Sequence, residues 1–341
     1  MFKLSLSKLD DFFRMINESE KIYLPVDTEE GACYLPYAEG VKLSRATNTN
    51  RSAKDFFFPQ VENIVNFKVD GKKIEIEDIR EELEDFVIFG ARACDIASFE
   101  VLDRVYLTMP PIDTFYKNRR DHATIVTIAC ENPLETCFCK SFKGIDAANP
   151  KGDVSSWIKD DTIYFEAQTE KGEALLKKVA SLLEESGSEK VEEAKALLNE
   201  KLEKLPIGDI KLDKISGRDL MENFNSAIWD TMYTTCLGCG TCTFVCPTCQ
   251  CFDVREFDTG HGIQRYRCWD SCMYKDFTKM AAGNNRPSQK ERFRQRFMHK
   301  LVYYPENNDG VYMCVGCGRC LRSCPINMNI VKVAKALGGD N

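Results

Sequence analysis

Two stretches of the chain share one spacing, and that spacing limits the fold more than any other feature. Cys236, Cys239, Cys242 and Cys246 read C-x2-C-x2-C-x3-C with Pro247 behind them. Cys314, Cys317, Cys320 and Cys324 repeat the run ahead of Pro325. Gaps of two let three thiolates of one tight turn reach three irons of a [4Fe–4S] cubane, and the fourth cysteine of such a run serves the other cluster. The spacing therefore predicts two cubanes, one on Cys236, Cys239, Cys242 and Cys324, the other on Cys314, Cys317, Cys320 and Cys246.

Zinc and disulfides fit less well. Structural zinc takes two separated cysteine pairs, and a disulfide framework belongs to short secreted chains. This chain has 341 residues and 17 cysteines. Its first eighteen residues lack the apolar core of a signal peptide, and no apolar run is long enough to span a bilayer. These features point to a reducing, cytoplasmic setting. A formal net charge of −7 argues against nucleic acid or an anionic membrane as the main partner.

Cysteine density divides the chain. Residues 1–225 read as an α/β or α+β domain, and residues 226–341 as a mostly α-helical, ferredoxin-like dicluster domain. In the first part, Leu4 to Ile16 carries apolar residues at helical spacing. "NFKVDGKKIEIE" alternates around Asp70-Gly71 and predicts a hairpin with a primed turn. "FVIFG" and "ATIVTIA" are short apolar runs of buried-strand type, with a helix from Asp95 to Tyr106 between them. "TIYFEA" reads as another strand, and residues 171–204 as two surface helices split at Ser186-Gly187-Ser188. After residue 225 strand signals fade, and Ser288 with Glu291 forms a capping box at the start of a helix.

Four further cysteines fall at telling places. If the strand–helix–strand unit is a right-handed crossover, its strands run parallel, and Cys94 and Cys130 lie together at their carboxyl ends. "CENPLETCFC" bends at Asn132-Pro133 and can return Cys137 and Cys139 to the same edge. Four converging thiols would hold a third cubane. Two alternatives stand beside this: plain buried thiols, or a reactive low-pKa Cys94 at a helix start. Cys249, Cys251 and Cys272 are looser candidates for contact with the cluster loops, Cys268 is weaker still, and Cys33 reads as core. His122, His261 and His299 have no ligand spacing. The basic run from Arg286 to Lys300 reads as an amphipathic helix that is solvated, offsets anionic clusters or docks a partner. No glycine fingerprint for a dinucleotide or nucleoside triphosphate is present.

On "ARACDIASFEVLDRVYL", "CENPLETCFC", "CLGCGTCTFVCPTCQC", "WDSCMY", "RFMHK" and "CVGCGRC", the chain resembles the iron–sulfur electron-transfer subunits of anaerobic sulfite reductases. It is somewhat less similar to the β subunits of cytosolic sulfur-reducing hydrogenases. The resemblance implies a non-catalytic electron-transfer subunit that joins an NADH-oxidising flavin subunit to a sirohaem subunit reducing sulfite. The alternatives are a hydrogenase β subunit, or an oxidoreductase with its own flavin or reactive cysteine.

Overall fold

The computed structural model describes residues 1–80, 83–208 and 210–339. Its largest layer is an eight-stranded mixed sheet of β1 (Phe2–Ser5), β2 (Lys21–Thr28), β3 (Gly31–Pro36), β6 (Phe86–Ala91), β7 (Ala123–Ile128), β8 (Val154–Lys159), β9 (Thr162–Ala167) and β10 (Glu184–Glu185). The spatial order is β10-β1-β9-β8-β7-β6-β2-β3. The four central strands β2, β6, β7 and β8 are parallel, and the outer ones are antiparallel to their neighbours.

Unbroken apolar runs in β6 and β7 follow from burial on both faces. On one face, α1 (Leu9–Asn17) and α4 (Glu170–Lys178) bring Phe12, Phe13, Leu175 and Leu176 against Val87, Phe89 and Val126. Full burial of a side chain such as Phe12 contributes roughly 1.5–3 kcal/mol. On the other face, α2 (Ala93–Tyr106) and α3 (Thr114–His122) supply Phe99, Leu102, Tyr106 and Tyr116 against Ile88 and Ile125. A further helix, α5 (Glu189–Glu203), packs on β8.

The parallel pairing of β6 with β7 is the crossover expected from sequence. Its register breaks between Phe89 and Ala91, where Gly90 adopts φ +88°. A Cβ there would sit 3.0 Å from the Pro25 ring, so only glycine permits this bulge. The bulge ends the strand and delivers Arg92 as the N-cap residue of α2, with Cys94 in its first turn.

Three expectations change. Leu4 lies in β1 opposite Ile163, and the helix begins only at Leu9. Helical spacing and burial agree for Leu4 in either state, so periodicity alone misplaced it. The primed hairpin turn is present but centred one residue later, on Gly71-Lys72, because Asp70 pairs with Lys73 and Gly71 takes φ +58°.

The largest correction concerns the cysteine-rich part, which is not mostly helical. β11 (Phe252–Asp258) and β12 (Gly262–Trp269) form a hairpin. This hairpin joins β4 (Val61–Asp70) and β5 (Lys73–Asp78) in a four-stranded sheet of order β11-β12-β4-β5. The strand signal in "FDVREFD" and "GIQRYRCW" is diluted by charged side chains, because most of this sheet faces water. The sheet thus joins strands from both sides of residue 225.

Its inner end is fixed by a buried ion cluster. Arg267 bridges Glu62 and Asp113, Arg119 meets the second oxygen of Glu62, and the Arg267 guanidinium stacks on Phe58. Breaking a buried pair by removing one partner costs about 3–5 kcal/mol, because the remaining charge stays desolvated. Arg267→Met should therefore lose about 3 kcal/mol in denaturant unfolding, the low end of that range because Arg119 still faces Glu62. Adding Glu62→Gln should recover part of the loss. A single-variant change below about 0.5 kcal/mol, the range of ordinary surface substitutions, would show that this cluster does not secure the sheet.

Candidate iron–sulfur centre

Each cysteine run is built on two left-handed glycines. Gly238 and Gly240 take φ +68° and +75°, and Gly316 and Gly318 take +62° and +74°. These turns wind the backbone so that successive cysteines project to one side, and each leads into a short helix, Thr241–Phe244 or Arg319–Arg322. The two helices pack against each other and set the runs face to face. Within the first run Cys242 interacts with Cys236, Cys239 and Cys246. Cys246 also reaches the second run, where it acts on Cys314, Cys317 and Cys320 alike. Cys324 Sγ lies 3.3 Å from the Met328 carbonyl, beyond the helix that packs on the first run.

The four N-terminal cysteines also converge. Cys139 interacts with Cys130, Cys137 and Cys317, and Cys94 with Cys139 and Cys317. The loop between Cys130 and Cys137 is held by Lys201 Nζ, which donates to Glu131 O at 2.9 Å and Asn132 Oδ1 at 2.7 Å, and by the Thr47 hydroxyl on Asn132 O. Arg92 donates from Nη1 to Ile128 O and Ala129 O at 3.1 and 2.9 Å, fixing the chain just before Cys130. The second run presses directly on this loop. Phe138 N–H donates to Gly316 O at 2.9 Å, and a Cβ on Gly316 would lie 2.5 Å from Cys139 N. The N-terminal and C-terminal cysteines therefore form one continuous file.

Electrostatics follow from burial. Loss of water pushes the Cys94 thiol well above its ordinary value, Cys130 to about 11, and Cys139 and Cys314 to about 12. This overturns the expectation of a low-pKa Cys94: the helix start does not outweigh desolvation. Cys239 moves the other way, because the Thr241 hydroxyl and N–H donate to its exposed sulfur.

Several cations are buried among these thiols. Arg296 faces Cys242, Cys320, Cys249 and Cys246, and its Nε and Nη1 have no hydrogen-bond partner. Lys300 Nζ donates to Thr248 Oγ1 at 2.9 Å beside Cys246 and Cys249. Lys54 Nζ donates to the carbonyls of Cys246 and Cys249 at 3.1 and 3.0 Å, under the Trp269 ring. Burial pushes this amine down to about 8. An unpaired guanidinium in a dry interior is costly, and a net-negative cubane at the neighbouring thiolates would supply its missing partner. The donor set therefore fits iron–sulfur clusters. Among the described residues no three side chains close on a single metal ion, whereas a cubane carries its thiolates on separate iron corners.

The basic run ending at Lys300 is thus partly inward. The helix Gln289–Met298 starts at the expected Ser288–Glu291 capping box and continues through a π-helical turn, His299–Tyr303, that carries Lys300. Arg296 and Lys300 are buried against thiols, while Arg294 stacks on Phe224. Sequence reasoning missed Lys54, which sits far in sequence from the cysteines it faces, and Arg319, which lies inside the second run next to Cys320 and pairs with the distant Asp95.

Of the looser candidates, Cys249 hydrogen-bonds with Cys246, and Cys251 with Cys272. Cys268 lies on the exposed four-stranded sheet beside Arg255 and joins no other cysteine. Cys33 lies half-buried in β3, away from these groups. His122 meets Asp85, His299 is half-buried and pushed down by desolvation to about 4, and His261 is exposed.

Residues 235–328 match the family of 4Fe-4S dicluster domains. The chain is 32% identical over 335 residues to sulfhydrogenase 2 subunit beta of Pyrococcus furiosus, covering 97% of this chain and 96% of that protein. No solved structure matches it.

Gly316 and Gly238 share the left-handed conformation but not the surroundings. A Cβ on Gly238 would meet nothing nearer than 3.8 Å, at the end of the Gln289 side chain. Gly316→Ala should therefore lower the thermal midpoint and iron content well beyond Gly238→Ala, measured side by side without oxygen. Equal effects would mean that only the turn matters, and that the packing of the second run on the Cys137–Cys139 loop does not.

Proposed function

Because the chain belongs to the family of sulfhydrogenase β subunits, we propose that it is the electron wire of a multi-subunit oxidoreductase. Cys236, Cys239, Cys242 and Cys324 would hold one cubane, and Cys314, Cys317, Cys320 and Cys246 a second. Cys94, Cys130, Cys137 and Cys139 would hold a third. Each cubane supplies reversible one-electron transfer when bound. The observation that supports this reading is that Cys246, besides acting on Cys242 of its own run, acts on Cys314, Cys317 and Cys320 of the other.

The chain's residues do the rest. The glycine turns aim the thiolates, the core keeps water away, and Arg296, Lys300 and Arg319 balance the negative charge. A file of cysteine sites from the α/β sheet to the C-terminal runs suits a protein that receives electrons at one end and gives them up at the other.

The partners would be a flavin subunit handling NADH and a catalytic subunit handling hydrogen. The likeness to a sulfhydrogenase subunit supports this alternative over the sulfite assignment, so the sirohaem partner gives way to a hydrogenase. No helix among the described residues is long and apolar enough to cross a membrane.

Two measurements test the ligand sets. Three cubanes need about twelve irons per chain and two need about eight. Cys137→Ala with Cys139→Ala should remove about four irons and leave the spectra of the C-terminal pair intact. Full iron retention would make those four cysteines packing residues. Cys246→Ala should alter the spectrum of the cluster anchored by Cys314, Cys317 and Cys320. Damage confined to the cluster on the first run would refute the crossed assignment.

A further inference from the structure

We infer that the exposed turn Leu237–Gly240 is an outlet of the wire, the surface on which a redox protein with an acidic rim docks to exchange single electrons. The inference rests on the electron-wire reading and adds which end meets a protein partner, and of what charge.

Electron tunnelling falls off steeply with distance, so an outlet needs a cluster ligand at the surface. Among the described residues Cys239 is the only exposed cysteine; Cys94, Cys137, Cys139 and Cys317 are buried, and the other proposed ligands are half-buried. The same turn pushes Leu237 outward, 64% exposed, between Cys236 and Cys239. A lone exposed leucine is ordinary. This one sits on the loop that aims the thiolates, where a docked protein would bury it as an apolar anchor inside a polar rim.

The rim is built in, because residues 274–289 leave the turn and come back to it. At one end the Tyr274 hydroxyl donates to Cys239 O at 3.3 Å, and its ring covers Gly240, where a Cβ would lie 2.8 Å away. At the other end the Gln289 amide donates to Cys236 O. Asn284 Nδ2 donates to Lys275 O at 2.8 Å, and Arg292 Nη1 to Arg286 O and Pro287 O at 3.1 and 2.8 Å, which holds the segment in shape.

This segment bears Lys275, Lys279 and Arg286 against Asp276 alone, in a chain of net charge −7. Lys275 and Lys279 are exposed, so water screens them from the thiols, which the buried Arg296 and Lys300 already face. Their field is directed at solvent and selects a partner of opposite charge.

The test uses the full chain, iron-replete, reduced with dithionite, freed of it and kept from oxygen. It is mixed rapidly with one of two oxidised acceptors: plastocyanin, whose surface is acidic, or cytochrome c, whose surface is basic. Each encounter moves one electron from a cluster to copper or haem iron and consumes nothing else. Plastocyanin reduction should slow as salt rises through about 0.1 M, where the Debye length is about 10 Å. Lys275→Glu with Lys279→Glu should slow plastocyanin about tenfold and speed cytochrome c. Lys159→Glu with Lys195→Glu, in the cleft beside Cys130 at the other end of the file, should change neither rate. Both variants should keep the parent's iron. Rates indifferent to the Lys275 and Lys279 reversal, or a larger response at Lys159 and Lys195, overturn the inference. So does iron loss in the Lys275 and Lys279 variant, which would make those cations part of the cluster site, and so does a cluster-bearing parent that reduces neither acceptor. Failure of the electron-wire reading would show instead as a parent chain that holds no clusters.

Discussion

The Arg319 guanidinium faces the Asp95 carboxylate at 3.0 Å, and both groups are sealed from water. Arg319 belongs to the short helix inside the second cysteine run, between Cys317 and Cys324, and Asp95 to the first turn of α2, one residue after Cys94. This pair ties the cysteine-rich part to the strand–helix unit of the sheet, together with the hydrogen bond from the Tyr304 hydroxyl to Val101 O in α2. Arg319 also donates to Thr49 O at 2.8 Å, which brings in the long segment after β3. In a dry interior neither charge tolerates loss of the other. The register between Cys317 and Cys94 is therefore set by electrostatics as much as by packing, and the continuity of the cysteine file depends on it.

Charge balance extends the same logic outward. Burial alone would hold most of these thiols protonated, as the raised Cys94, Cys139 and Cys314 show. In the proposed clusters iron would displace those protons and make the thiolates ligands. The buried cations then meet net-negative clusters rather than empty low-dielectric space. Arg296 illustrates the point, since two of its nitrogens have no protein partner and four cysteines lie around it. Such a site is tuned for metal before any metal is added.

Much of this was legible in the sequence, for physical reasons. The cysteine runs carry their geometry in the two-residue gaps and in Gly238, Gly240, Gly316 and Gly318. The parallel strands around Cys94 and Cys130 announce themselves as apolar runs because both their faces are covered. The hairpin of β11 and β12 was hidden because its charged, water-facing side chains dilute the alternation. The cations were hidden for a different reason. Lys54 is an ordinary surface residue type by composition, and only the tertiary fold carries it to the thiols; Arg319 sits among the cysteines of the second run, but nothing in sequence announces the buried Asp95 it pairs with. The preference for a hydrogenase over a sulfite reductase was likewise beyond the motifs, since both resemblances rest on the same cysteine pattern.

The central claim is that the N-terminal and C-terminal cysteines form one file of adjacent clusters. Electron paramagnetic resonance of the fully reduced chain tests it most directly. Neighbouring paramagnetic cubanes broaden and split one another's signals, and wider separation removes the effect. The account predicts an interaction spectrum that simplifies when Cys137 and Cys139 are replaced. A sum of sharp, independent signals, unchanged by that replacement, would contradict it.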